Sequence, residues 1–366
     1  MASSTDHPAS DAAGGLIGYC RAGFEPELAA EFSERAALAG LHGHVRTERN
    51  SGFVELLGVD GEAATRALPF AELIFARQKL RLLARLSGID PKDRISPIMD
   101  VLGGRGRHGE LVVEHPDSDE ARQLAGLARA FGNALRPALR KRGLLTEKDD
   151  ARLPRLHVCL LAGNELLLGS GAIKDSSPWP GGVPRLRHSA EAPSRSALKL
   201  EEAFLTLLSE AERERLIQPG MRATDLGASP GGWSWVLAKR NMRVISVDNG
   251  PMAEAALETG LVEHVRADGF TWKPVKAQDW MVCDMVESPR KVAARMAEWF
   301  AHGWCKHAVF NLKLPMKKRW DETRSCLEAF TREAGRPLVV RARQLYHDRE
   351  EVTVFATDPA ARERQL

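Results

Sequence analysis

Cysteine is scarce in this chain of 366 residues, with five in all, Cys20, Cys159, Cys283, Cys305 and Cys326, and no C-x-x-C pair among them. An odd and scattered set excludes a disulfide framework and a structural zinc ribbon, and it fits a reducing cytosol. No stretch approaches the ~18 consecutive apolar residues that a membrane helix needs, so no membrane partner is expected. The opening MASSTDHPASDAAGG has neither a basic first region nor an apolar middle and does not read as a signal peptide. Internal repeats are missing. So is any His/Asp/Glu cluster at metal-ligand spacing, and no metal is expected. Excess charge of one sign is also lacking: 52 basic residues stand against 49 acidic ones, for a net +3. That balance excludes a histone-like polycation and leaves nucleic-acid binding undecided by the total.

What is present is ordinary globular material, 43% hydrophobic and 28% charged, in a length that suits two or three domains. Beneath the neutral total the basic residues cluster. Residues 122–148 hold Arg122, Arg129, Arg136, Arg140, Lys141, Arg142 and Lys148 against Glu147 alone. Residues 151–200 and 301–350 are also rich in Lys and Arg. Such stretches suit a polyanion surface, and equally the solvated faces of helices.

The pattern along the chain divides it. Residues 1–15 read as a disordered tail. Residues 16–90 read as an α+β unit of modest size, in which PFAELIFARQKLRLLARL mixes a helical period with a strand-like run and stays open. Residues 91–174 form a second α+β unit carrying an amphipathic, arginine-studded helix over 118–142. Residues 175–198 hold four prolines and five serines and read as a linker or extended loop. Residues 199–366 alternate strands with helices, which predicts a parallel, doubly wound sheet. Its last two strands, LVVRARQLY and EVTVFAT, are too close for a parallel crossover and must pair antiparallel. An α/β sheet ending in an antiparallel hairpin points to class I methyltransferases more than to dehydrogenases.

The strongest motif in that last region is DLGASPGGW, Asp225 to Trp233, set between a strand and a helix where an open α/β sheet presents its ligand crevice. It is not G-x-G-x-x-G. Three strand ends that follow each carry an acid: Asp248 in SVDNG, Asp268 in RADGF and Asp284 in VCDMV. A carboxylate at the first can bridge two ribose hydroxyls, because its two oxygens match two donors. The second is placed to receive an adenine amino group, and the third lies by the reactive end of a cofactor. Together they form the pattern of S-adenosylmethionine sites, although any one alone is as easily a turn or helix-cap residue. Cys283, one residue before Asp284 on a strand, should point to the opposite face and is read as a buried apolar residue rather than a nucleophile.

DLGASPGGW resembles motif I of the FtsJ-type RNA ribose methyltransferases. The longer strings APSRSALKLEEAF, KRNMRVISVDNGPM, WMVCDMVESPRKVA, FNLKLPMKKR and ARQLYHDREEVTV are similar to the RlmM family of bacterial 23S ribosomal RNA cytidine 2′-O-methyltransferases. CRAGFEPELAAEF and LPFAELIFARQ carry the likeness to the first half of the chain, so that it covers nearly all of residues 16–357. Ser229 stands where relatives often have Cys or Ala. The resemblance implies a Rossmann-like methyltransferase domain over 199–366 behind a ferredoxin-like domain over 16–90 and a THUMP-like RNA-binding domain over 91–174, and 23S ribosomal RNA, free or partly assembled, as partner of a cytoplasmic monomer. It implies S-adenosylmethionine held by Ser196, Asp225, Gly227, Ser229, Pro230, Gly231, Gly232, Trp233, Asp248, Asp268 and Asp284. It also implies a catalytic tetrad of Lys199, Asp284, Lys313 and Glu351, with Lys313 as proton acceptor and Lys199 biasing it toward neutrality. Glu350 is the immediate rival of Glu351. Lys317, Lys318 and Arg319 are expected on phosphates, and Trp179, Trp233 and His188 pack in the fold or stack on bases. Two other readings stay open: 2′-O-methylation of another RNA such as tRNA, and a catalytically silent RNA-binding assembly factor.

Overall fold

The computed structural model describes residues 14–359 together with the short strand at 10–11; the rest of the expected tail lies outside the described residues. The chain forms two compact units, residues 1–183 and 184–366.

The first unit is built on one mixed sheet. Its strands are β1 (Ser10–Asp11), β2 (Gly15–Tyr19), β3 (His44–Thr47), β4 (Phe53–Leu57), β5 (Gln78–Ser87), β6 (Glu110–Glu114), β7 (Arg155–Ala162) and β8 (Glu165–Gly171). They run in the order β3-β4-β2-β5-β8-β7-β6, with β1 pairing β5. Helices α1 (Glu25–Leu38), α2 (Gly61–Ala67), α3 (Ile95–Leu102) and α4 (Ala125–Lys141) accompany it. The segments 16–90 and 91–174 thus share a sheet, joined by the antiparallel pairing of β5 with β8. The ambiguous run at 69–86 splits: residues 70–72 make a single 3-10 turn, residues 73–77 connect it onward, and β5 takes the run from Gln78. A central strand is covered on both faces, so it tolerates an almost unbroken apolar run that a surface helix would not. The long helix expected over 118–142 is likewise divided into a 3-10 turn at 121–124 and α4. Ala128, Phe131, Leu135 and Leu139 of α4 recur every three or four residues and pack into the core with Leu111, Leu156 and Val158.

The proline-rich segment is fastened where it leaves this sheet. The Asp175 carboxylate accepts from Phe70 N (2.7 Å) and pairs with the buried Lys79. Ser177 O accepts from Gln78 Nε2 (3.1 Å), and Gly181 N donates to Glu114 Oε2 (2.6 Å).

The second unit opens with α5 (Ala197–Leu207) and α6 (Glu210–Leu216). Alternation follows: β9 (Arg222–Leu226), α7 (Gly232–Ala238), β10 (Arg243–Val247), α8 (Glu254–Leu257), β11 (Val262–Val265), β12 (Gln278–Cys283), α9 (Pro289–Ala301), β13 (Cys305–Lys313), α10 (Arg319–Glu333), β14 (Val339–Arg343) and β15 (Glu351–Thr357). The order is β11-β10-β9-β12-β13-β15-β14. The first five strands are parallel, and β15 enters antiparallel between β13 and β14. This is the α/β sheet with a terminal antiparallel hairpin that the sequence predicts. On one face its core gathers Trp280, Val309 and Phe355 of the strands with Phe204 of α5 and Trp233 of α7. The strand order reverses between β9 and β12, so the crevice at their carboxyl ends is where such a fold receives a ligand. No helix among the described residues is long and apolar enough to cross a membrane.

Candidate active site

Four charged side chains meet at the carboxyl edge of β12 and β13. Lys199 comes from the first turn of α5, Asp284 from just past β12, Lys313 from the last position of β13 and Glu351 from the first of β15. Lys313 and Glu351 face each other across the antiparallel pair. Each lysine touches both carboxylates: Lys313 Nζ lies 2.5 Å from Asp284 Oδ1 and also bonds Glu351 Oε2, while Lys199 Nζ lies 3.4 Å from Asp284 Oδ2 and also pairs with Glu351 Oε1. The result is a closed ring of alternating charge with a formal sum of zero. Glu351 is the most enclosed member, its side chain only 4% exposed against 25% for Lys313, so the ring opens on the Lys313 side. Glu350 points away, half exposed and paired with Arg319, as the period of two in a strand requires.

The ring fixes the protonation of Lys313 and Asp284. Burial disfavours a charge on Lys313, but Asp284 and Glu351 outweigh it and hold its pKa up at about 12. Burial also opposes ionisation of Asp284, and Lys313 and Lys199 reverse that, keeping its carboxyl below the usual range. The expected bias of Lys313 toward neutrality is therefore not met in this resting arrangement. The two carboxylates, and not Lys199, dominate its surroundings.

On the other side of the crevice the glycine-rich turn leads from β9 into α7. Gly227 has φ +74°, and a Cβ there would come within 2.5 Å of Met285 Cγ, so only glycine fits beside the segment that carries Asp284. Asp248 follows β10 directly, and its carboxylate accepts from Ser229 N (3.0 Å) and Gly250 N (2.7 Å). One lone pair remains on each oxygen, which suits a pair of ribose hydroxyls. Ser229 Oγ donates to Pro251 O (2.8 Å), and Pro230 precedes the turn into α7. Asp268 is exposed, and its Oδ1 accepts from Phe270 N (2.9 Å). Asp248 and Asp268 thus both keep acceptor capacity at the crevice, and the residues present fit the cofactor expected from the sequence.

Four of the residues expected at the cofactor, Asp225, Gly231, Gly232 and Trp233, lie deeper. Asp225 is buried, with Oδ2 receiving a bond from Ser234 Oγ (2.6 Å). Burial, with Asp284 and Asp248 adding to it, pushes its pKa up to about 7. Trp233 is 3% exposed and belongs to the core; its indole N–H donates to Ser196 O (2.9 Å), tying the glycine turn to the entry of α5. Ser196 Oγ shares a hydrogen bond with Ser194 Oγ, and a Cβ on Gly232 would strike both; Gly231, at φ +109°, precedes it. Cys283 is wholly buried and pushed up to about 12 by that burial, which leaves no thiolate at the crevice. Lys317 and Lys318 are exposed beside the ring.

Two residues that the sequence pattern does not single out also reach the ring. Asn311 donates from Nδ2 to Asp284 Oδ1 (2.9 Å), and Thr353 Oγ1 lies 2.7 Å from Asn311 Oδ1. A signal was available: each is polar within an apolar strand, and each sits two positions from a tetrad member, hence on the same face.

Comparison with known proteins finds matches along nearly the whole chain. Residues 14–80 match the family described as RlmM ferredoxin-like domain, residues 93–171 that of ribosomal RNA large subunit methyltransferase M, N-terminal, and residues 192–311 that of FtsJ-like methyltransferase. Ribosomal RNA large subunit methyltransferase M of Xanthomonas campestris pv. campestris (strain B100) is 65% identical over 344 residues, covering 93% of this chain and 99% of the relative. The protein of the same description from Xanthomonas axonopodis pv. citri (strain 306) is 64% identical over the same shares. Among solved structures, TrmN from Thermus thermophilus aligns over 94% of this chain and 100% of its own at 17% identity, with a TM-score of 0.34. That distant likeness adds nothing about the site.

Proposed function

Because the chain belongs to the ribosomal RNA large subunit methyltransferase M family, we propose that it methylates the 2′-hydroxyl of a cytidine in the peptidyl-transferase loop of 23S ribosomal RNA. S-adenosylmethionine, when bound, supplies a methyl group activated on a sulfonium. Asp248 would hold its ribose, Asp268 its adenine and the turn from Gly227 to Gly232 its backbone-facing side, with Ser196 and Trp233 bracing that turn.

The reading is carried by the ring of Lys199, Asp284, Lys313 and Glu351 at the crevice mouth. A ribose hydroxyl is a weak nucleophile until it loses its proton, and it must stand in line with the carbon–sulfur bond. Lys313, the most open member, receives that proton at Nζ as the carbon–oxygen bond forms. It must first have shed its own proton. Lys199 holds the hydroxyl oxygen. Asp284 and Glu351 orient both ammonium groups, and after transfer they stabilise the newly protonated Lys313.

Lys313→Ala is expected to abolish methyl transfer while cofactor and RNA binding persist; undiminished transfer would sink the assignment of the base. Mapping ribose methylation in ribosomal RNA from a deletion strain should show one missing 2′-O-methyl on a cytidine of that loop, and an unchanged map would overturn the substrate. That loop is enclosed in the mature particle. The substrate is therefore read as free or partly assembled RNA, and equal rates on intact large subunits would refute this.

A further inference from the structure

Asn311 and Thr353 form a second rung beneath the lysine–glutamate pair. Asn311 faces Thr353 across β13 and β15 just as Lys313 faces Glu351, and the spacing of two puts both rungs on one face. Both are fully buried. Buried polar groups need partners, so the direction of each hydrogen bond can be worked out. Asp284 is ionised and can only accept. The Asn311 amide nitrogen therefore faces it, which turns Asn311 Oδ1 toward Thr353 Oγ1 at 2.7 Å. That contact requires Thr353 to donate, and its hydroxyl has one proton.

Yet Thr353 Oγ1 also lies 3.0 Å and 3.2 Å from the two carboxyl oxygens of Asp348. With its proton already committed, Thr353 can only accept there, so Asp348 must be the donor and hence a neutral acid. Three further observations agree. Asp348 is wholly buried. Its Oδ2 accepts from Leu345 N (2.9 Å), a bond that the carbonyl oxygen of a neutral carboxyl makes as well. Burial first, then the nearby Glu351, push its pKa well up. An ionised Asp348 would also add a third carboxylate to a ring already balanced at two against two.

We propose that neutral Asp348, Thr353 and Asn311 form a one-way chain of hydrogen bonds that ends on Asp284 and fixes it, and through it Lys313, for methyl transfer. The proposal rests on the tetrad reading given above. None of the three touches the reacting atoms, so all are positioning residues. Each donates toward the ring. The chain therefore stabilises the Asp284 carboxylate without adding net charge.

Steady-state methylation of 23S transcripts tests it, with conservative and disruptive variants in pairs. Thr353→Val and Asp348→Leu should lower kcat by roughly tenfold to a hundredfold, the size expected when a catalytic group is slightly misplaced. KM for RNA and the dissociation constant for S-adenosylmethionine should stay within about twofold, because the binding groups are elsewhere. Thr353→Ser keeps the hydroxyl. Asp348→Asn keeps a donor for Thr353 and an acceptor for Leu345 N, so both should retain most of kcat. An unchanged kcat in Thr353→Val overturns the chain, and Asp348→Asn as damaging as Asp348→Leu overturns the neutral acid. If Asp348→Leu fails to fold, the Thr353 pair alone decides for the chain and Asp348→Asn for the acid. Lys313→Ala runs in parallel: transfer surviving there defeats the tetrad reading, whereas a dead Lys313→Ala beside a fully active Thr353→Val defeats only the chain.

Discussion

Lys313 sits between two carboxylates, and that position governs how its reaction responds to pH. With its pKa held up at about 12, its neutral fraction grows about tenfold for each unit by which pH rises toward that value. If Lys313 accepts the hydroxyl proton, kcat should climb with a slope near one across pH 6 to 9 without levelling; a flat profile with chemistry rate-limiting would refute its role. Asp225 gives a second expectation at this scale. Its pKa is pushed up to about 7 by burial, so in the folded protein it keeps a proton that the unfolded chain has already lost above about pH 4. Stability contributed this way is fully present below about pH 4 and is lost as pH rises through about 7. Asp225→Asn, neutral throughout, should therefore raise Tm relative to the parent at pH 8 and give a much smaller advantage at pH 5. A Tm difference that is the same at both would show that Asp225 is not the titrating group. The four residues of the ring were legible in sequence, because APSRSALKLEEAF, WMVCDMVESPRKVA, FNLKLPMKKR and ARQLYHDREEVTV each carry one of them in a long matching string. The ring's proton state was not, since that depends on carboxylates brought from two other segments.

At the level of elements, the turn between β9 and α7 is the most exacting. Gly227→Ala would need φ +74° with a Cβ 2.5 Å from Met285 Cγ, and Met285 adjoins Asp284. Calorimetric titration should show cofactor affinity at least about tenfold weaker with the fold retained, since both strain and the displaced segment act on the crevice. Equal affinity would mean that this turn does not line the cofactor site. Most of the alternation in the second unit is readable from its apolar strands, but α6 escapes the pattern although Ser209 and Glu212 form a capping box at its start. That S-x-x-E signal precedes a helix with few apolar residues, and its hold comes instead from Glu212 pairing with Arg341 of β14. The insertion of β15 between β13 and β14 is not readable either. Local pattern sets a strand's existence and its hairpin partner, while the second neighbour, here β13, is a tertiary matter. It is that second pairing that brings Glu351 to Lys313.

For the whole molecule, a net charge of +3 leaves the grip on RNA to local distribution. In the first unit the basic helix divides its residues between two tasks. Arg136 donates to Leu111 O (3.0 Å) and Arg140 to Thr146 O (3.1 Å), and both serve the fold. Arg129, Lys141, Arg142 and Lys148 stay exposed, and the first unit has no other role in the reaction proposed. If these four meet phosphates, replacing them with alanine should raise KM for RNA and leave both kcat and cofactor affinity intact, because the ring and the crevice belong to the second unit. The log of RNA affinity against the log of salt should also flatten, by about 0.7 to 0.9 for each phosphate no longer neutralised. A structural fault would not produce that change in slope, whereas a smaller counterion release must. Full RNA affinity in the quadruple variant, with an unchanged salt slope, would shift the burden to the exposed Lys317 and Lys318 beside the ring. The same salt series on a Lys317→Ala, Lys318→Ala protein would then locate the phosphate-binding surface.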